Sequence, residues 1–152
     1  MPAESAHMTG SLAGRTIVTG VAGDDIHVMG IRLVEHALKS AGANVVSLGV
    51  MTPISEFVEA AVETAAEAVV LSSSNGHAAI SCDGIREAFI EAGLGEMLLY
   101  IGGNLNVGRA ASHEEVERQF QILGFDRVFE PHADLNEALA LIASDLDAKG
   151  GE

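Results

Sequence analysis

Five short apolar runs, each followed by a segment of helical pattern, constrain this sequence more than any other feature. The runs are Thr16–Val21, Asn44–Gly49, Ala68–Ser72, Met97–Gly102 and Arg127–Glu130. Each is nearly continuous in apolar character rather than alternating, as expected of parallel strands covered on both faces. After the first run, residues 27–41 place Met29, Leu33, Val34, Ala37, Leu38 and Ala41 at helical spacing, with Gly42 as the stop. Residues 53–66 carry Ile54, Phe57, Val58, Ala61 and Val62 on one face. Thr52 is the expected N-cap there, Pro53 opens the first turn, and Glu56 stands where a capping box would use it. Three more helices are expected over 81–92, closed by Gly93, over 112–123, with Ser112 as the cap followed three positions later by Glu115 and a stop at Gly124, and over 135–146, capped by Asp134.

Five β–α units in strict alternation predict a parallel sheet with right-handed crossovers. The fold class expected is α/β, a flavodoxin-like (Rossmann-like) five-stranded parallel sheet of order 2-1-3-4-5 with helices on both faces. The 152 residues fit one domain with a real core, and with 48% hydrophobic but only 4% aromatic residues that core is mostly aliphatic. Residues 1–14 are small and polar and read as a disordered tail, the domain covers 15–148, and the chain frays from Ala148.

In such a sheet ligands bind at the carboxyl ends of the strands, near the topological switch point. There the sequence sets Asp24, Asp25 and His27 after the first strand, Ser72-Ser73-Ser74-Asn75-Gly76 after the third and Gly102-Gly103-Asn104 after the fourth. His27 reads as a metal ligand with Asp25 to orient it, since metal-bound imidazoles usually donate their second N–H to a carboxylate or carbonyl. The bland alternative is an exposed or capping histidine at a helix start. One imidazole and one carboxylate do not close a zinc site, and His36, His113 and His132 lie on other elements without ligand spacing. A single protein imidazole suits a metal that brings its own equatorial ligands, a haem or a corrin. Gly30 permits close approach of a bulky group. Gly102 and Gly103 leave a side-chain-free strand end where a flat group could lie, or form an ordinary turn. The Ser72 and Ser74 hydroxyls could bond a heterocycle nitrogen or cap the following turn. His77, in the loop after the third strand, lines the rim of such a site or, as favoured, faces solvent, and Cys82 is expected to be a packed, inert thiol.

The formal net charge of −14 argues against nucleic-acid binding, which needs a basic footprint, and against docking on an anionic membrane. No apolar run is long enough to cross a bilayer, and the N-terminus has no signal-peptide pattern. One cysteine allows no internal disulfide, which points to a reducing, cytoplasmic setting.

Asp25-x-His27-x-x-Gly30, then Ser72 after the third strand and Gly102-Gly103 after the fourth, resembles the D-x-H-x-x-G…S-x-L…G-G signature of cobalamin-binding domains. Such domains occur in adenosylcobalamin-dependent mutases, methionine synthase and corrinoid methyltransferases. Over Thr16 to Leu146 the chain is most similar to the small (S, or sigma) subunits of glutamate mutase, also called methylaspartate mutase. Asn44–Val50, Leu98–Asn104 and Gly124–Phe129 carry the likeness outside the signature. The resemblance implies a cobalamin-binding domain over 15–148 whose cofactor is adenosylcobalamin, with His27 as the lower axial ligand of cobalt and Asp25 bonded to it. It implies a cofactor site of Asp25, His27, Val28, Gly30, Ser72, Ser74, Gly102, Gly103 and Asn104, with the displaced nucleotide tail in a slot beside the sheet. It also implies a separate large catalytic subunit, as a heterotetramer, and a radical rearrangement between L-glutamate and 3-methylaspartate. The chain departs from the family at the S-x-L element, which reads Ser72-Ser73-Ser74, and in the next loop, where Asn75-Gly76-His77-Ala78-Ala79 replaces the usual Tyr-Gly-Gln-Gly-Glu. That loop lies where the corrin edge or the partner would be met.

Other readings are a non-catalytic cobalamin carrier or sensor, or the small subunit of a related mutase acting on another substrate. A corrinoid methyltransferase protein resembles a longer chain with a helical bundle before the domain. A phosphoacceptor receiver domain shares the topology but needs an aspartate after the third strand and a lysine after the fourth, where this chain has Ser72 and Gly102-Gly103. FMN binding gives the Asp-x-His pair no role.

Overall fold

The computed structural model describes residues 12–23, 29–73, 78–103, 105, 112–130 and 133–150. The strands are β1 (Thr16–Val21), β2 (Asn44–Ser47), β3 (Ala68–Ser72), β4 (Leu98–Gly102) and β5 (Arg127–Phe129). All pair in parallel in the order β2-β1-β3-β4-β5, the 2-1-3-4-5 arrangement expected of the sequence. The helices are α1 (Met29–Ser40), α2 (Ile54–Thr64), α3 (Ala78–Ser81), α4 (Ile85–Glu91), α5 (His113–Leu123) and α6 (Leu135–Gly150).

Right-handed crossovers divide the helices between the faces. The chain leaves β1 outward to β2, then turns back across β1 to β3, so α1 lies on one face and the middle helices on the other. Side chains alternate accordingly. Val18, Val69, Leu71, Leu99, Ile101 and Val128 bury against Phe57 and Ala61 of α2, Ile85 and Phe89 of α4, and Val116 and Phe120 of α5. On the opposite face Ile17, Ala68, Val70 and Tyr100 pack with Leu38 of α1 and Leu139, Ile142, Ala143 and Leu146 of α6. Gly20 is fixed on the first face because a methyl group there would lie 2.8 Å from the Phe57 ring.

Several local expectations shift. Leu12 is buried to 1% exposure in the second core, and the Gly14 amide donates to the Gly42 carbonyl at 3.1 Å. The packed chain therefore includes at least residues 12–14 of the stretch expected to be a tail. β2 ends at Ser47, two residues early, where the chain turns towards Gly49 at φ +83°. The N-cap of α2 is Pro53, in extended conformation, and not Thr52. The Thr52 hydroxyl instead bonds backward to the Gly49 carbonyl at 3.2 Å, within a loop bridged to Ala22. The third helix is shorter than expected, α4 alone, because Gly84 at φ +84° stands at its start, and the separate short helix α3 precedes it. The last helix runs to Gly150, four residues beyond the expected end, and Lys149 Nζ reaches the Glu96 carbonyl at 2.8 Å. The caps expected at Ser112 and Asp134 form. Ser112 Oγ accepts from the Glu115 amide at 3.2 Å, and Asp134 Oδ1 from the amides of Asn136 at 2.8 Å and Glu137 at 3.4 Å.

Candidate cofactor cleft at the carboxyl edge of the sheet

Strand register decides which residues meet at this edge. Val21 pairs with Ser72, Ser72 with Gly102, and Gly102 with Phe129, one row across four strands. This row faces α1 and α6, and there the helices leave a cleft of about 360 Å³. Gly30, Ile31, Leu33 and Val34 of α1 form one wall. Leu135, Ala138, Leu139 and Ile142 of α6 form the other. The floor and rim come from Val70, Leu71, Ser72, Gly102, Gly103 and Phe129, with Glu130 and Ala133 on the approach to α6.

The sequence-derived candidates Gly30, Ser72, Gly102 and Gly103 thus converge on one cavity. Asp25, His27, Val28, Ser74 and Asn104 lie outside the described residues, as do Asp24 and His77. The three glycine positions differ in what they do. Among the described residues a methyl group at Gly30 would meet only Ser72 Oγ, at 3.7 Å, and one at Gly102 would rest on Phe129 Cβ at 3.5 Å. Both are ordinary contacts, so these glycines leave room that side chains would fill. Gly103 is required by the backbone itself: its φ is +107°, and a methyl group would overlap the Ser73 carbonyl oxygen. The Ser72 side chain makes no hydrogen bond among the described residues, and Ser72 and Glu130 alone among those lining the cleft carry polar side chains.

Two polar contacts beneath the cleft hold its walls. Thr19, fully buried on β1, donates from Oγ1 to Glu35 Oε2 at 2.5 Å and fixes α1 over the sheet. On the other wall Tyr100 donates its hydroxyl to Asp145 Oδ2 at 2.8 Å. Arg127 grips the same carboxylate from Nε at 2.8 Å and from Nη2 at 3.0 Å. The trio ties β4, β5 and α6 together, and the Tyr100 ring stacks on Phe129 with centroids 6.1 Å apart. The hydrogen bond from Arg127 holds the Asp145 carboxyl below the usual range. Burial, followed by the Asp145 contact, pushes the Tyr100 hydroxyl well up.

These supports escaped the sequence reading. Glu35 shares the buried helical stripe of Ile31 and Leu38, which signals a buried partner, but Asp145 with Arg127 and Tyr100 gives no local signal. Cys82 is as expected: fully buried, its thiol pushed up to about 12 by desolvation. Among the described residues no group of three or more His, Cys, Asp and Glu could hold a metal ion, and no helix is long and apolar enough to cross a membrane.

A doubly wound sheet with an apolar slot at its carboxyl edge, next to a β1–α1 connection of sequence Asp-x-His-x-x-Gly, defines a class. The chain belongs to the B12 binding domain family, whose profile matches residues 15–140. The fold is shared with a cobalamin-binding protein from Desulfitobacterium hafniense, at a TM-score of 0.71 and 22% identity, over 86% of this chain and 58% of that one. Within the class, the chain belongs to the glutamate mutase sigma subunit family. It is 51% identical over 130 residues to the glutamate mutase sigma subunit of Carboxydothermus hydrogenoformans, covering 86% of this chain and 94% of that one. It is 46% identical over 139 residues to glutamate mutase sigma subunit 1 of Haloarcula marismortui, covering 91% of each.

Proposed function

We propose that this protein is the cobalamin-carrying small subunit of a glutamate mutase, an isomerase that interconverts L-glutamate and 3-methylaspartate with a separate large catalytic subunit. The cleft carries this reading. It is mostly apolar and opened by missing side chains at Gly30 and Gly102, and it offers a hydroxyl at Ser72 without a partner among the described residues. These features suit the nucleotide tail of a corrinoid: apolar walls for a flat heterocycle and one hydrogen-bonding group for a ring nitrogen. When bound, the cofactor supplies the cobalt–carbon bond whose homolysis starts the rearrangement, while protein binds and orients.

The chain's own residues then have separate tasks. Ser72 donates to the tail, Gly30 admits it between α1 and the sheet, and Phe129, Leu139 and Ile142 exclude water from it. His27 would hold the cobalt of the bound cofactor, and Asp25 would fix the tautomer of its imidazole. Val28, Ser74, Gly102, Gly103 and Asn104 complete the surroundings. These roles for Asp25, His27, Val28, Ser74 and Asn104 rest on the resemblance of the motif to cobalamin-binding domains. The adenosyl form of the cofactor, a heterotetramer with the large subunit and a cytoplasmic setting complete the proposal.

The test is spectroscopic. Cobalamin mixed with the protein is expected to take up the spectrum of a base-off, histidine-ligated corrinoid, and His27→Ala to abolish that change. An unaltered spectrum at high protein concentration would sink the proposal. Mutase turnover is expected only after a large subunit is added.

A further inference from the structure

We infer that Val50 and Met51 of the β2–α2 loop, with Ile80 of α3, form an apolar contact that docks the large catalytic subunit. This rests on the proposed partnership and names the part of this chain that takes part in it. Met51 carries the strongest signal. Its φ is +55°, a left-handed conformation that any residue with a Cβ adopts at an energetic cost. Among the described residues only Ala65 shares it without being glycine, and Ala65 closes α2. Met51 ends no helix, and its side chain is 56% exposed, so burial within this chain offsets little of that cost.

The backbone holds the loop in place. The Gly49 carbonyl accepts from the Val21 amide at 2.8 Å, and the Thr52 amide donates to the Val21 carbonyl at 2.9 Å. The Thr52 carbonyl accepts from the Gly23 amide at 2.9 Å. Helix α3 abuts the same stretch, since a methyl group at Gly23 would overlap the Ser81 side chain. The loop, Gly23 and α3 are thus contiguous, on the face of α2 and α4 and across the sheet from the cleft. On this ledge Val50 is 37% and Ile80 is 80% exposed. Residues 48–55 and 78–82 carry no charged side chain, in a chain of net charge −14. Apolar groups cleared of charge suit the centre of a protein interface, and methionine adapts to the surface it meets. The occupant is the large subunit because Gly23 stands two residues before Asp25. A subunit that completes an active site over the cofactor must come to this edge.

The test measures assembly and cofactor binding separately. Sedimentation velocity with the large glutamate mutase subunit and cobalamin gives the affinity between subunits. The visible spectrum of cobalamin with this chain alone gives cofactor binding. Met51→Gly and Ile80→Ser are each expected to weaken assembly about tenfold and to leave cofactor binding unchanged. Met51→Gly, relieved of its strain, is expected to melt no lower than the unaltered chain. Ile122→Ser, at a site 80% exposed on α5, is expected to change neither measurement. Unaltered assembly in either patch variant, or equal weakening by Ile122→Ser, would overturn the contact and leave the partnership standing. Loss of cofactor binding in the patch variants would assign these residues to the corrin and overturn the contact. Self-association of this chain that Met51→Gly abolishes would assign them to a second copy, with the same result. No assembly of the unaltered chain with the large subunit would overturn the partnership and the contact together.

Discussion

Gly30 on α1 faces the Ser72 hydroxyl of β3 across the cleft, so closely that one methyl group on Gly30 would come to 3.7 Å from Ser72 Oγ. Among the described residues nothing else crowds that position, and Gly30 has no left-handed conformation to protect. Gly30→Ala is therefore expected to keep or slightly raise thermal stability, since alanine outranks glycine in a helix by up to about 1 kcal/mol. Gly30→Leu is expected to fill the cleft and weaken cobalamin binding by about 100-fold, roughly the effect of losing 2–3 kcal/mol of contact. A melting curve beside a cofactor titration separates the two effects. Full-strength binding by the leucine variant would contradict the assignment of the cleft.

Gly103 is expected to behave in the opposite way. Its positive φ and the adjacent Ser73 carbonyl leave no room for a side chain. Gly103→Ala is expected to destabilise the fold by at least about 2 kcal/mol, because the backbone must shift to admit it. Urea unfolding reads this directly. An unchanged midpoint would mean that the β3–β4 edge is less tightly apposed than the structure has it.

Asp145 gives stability an acid limb. Arg127 lowers its folded pKa, so the contribution is fully present above the unfolded value of about 3.9 and is lost as pH falls through the folded value. Tyr100 works in the other direction. Its pKa is raised, so its contribution is complete below about pH 10 and is lost above it. Asp145→Asn is expected to flatten the acid limb, and Tyr100→Phe the alkaline limb, at a cost of about 1 kcal/mol for the lost hydrogen bond. Unfolding free energies between pH 3 and 11 provide the check. Limbs unchanged in both variants would show that other groups control the titration.

Cys82 is expected to resist thiol reagents in the native protein at pH 8 and to react on unfolding. Burial leaves it no access and pushes its pKa up to about 12. Cys82→Ser is expected to lose about 1–3 kcal/mol, the cost of a buried hydroxyl without a partner. Fast labelling of the folded chain would argue that α3 opens readily.

Much of this molecule could be read from the chain because its signals are local. Continuous apolar runs separated by helical periods require a parallel sheet covered on both sides, and that topology gathers the strand ends at one edge. The caps at Ser112 and Asp134 and the stop at Gly124 follow from bonds within a few residues. Thr52 misled because its hydroxyl found carbonyls behind it in the loop held by Ala22, a tertiary contact invisible to a cap motif. Leu12 misled for a similar reason: a lone leucine among small polar residues is buried only because α1, α6 and the sheet leave a place for it.

The sequence by itself determined the order of strands and helices, the edge at which a ligand is proposed to bind and the family to which the motif points. Only the tertiary structure decided that Ser72, Gly102 and Phe129 stand in one row, that Gly30 opens a cleft while Gly103 serves the backbone, and that Asp145 anchors α6 below it. The division is physical. Periodicity and capping act over one turn or one strand, whereas register, close approach and a carboxylate shared by two distant side chains exist only once the layers have packed.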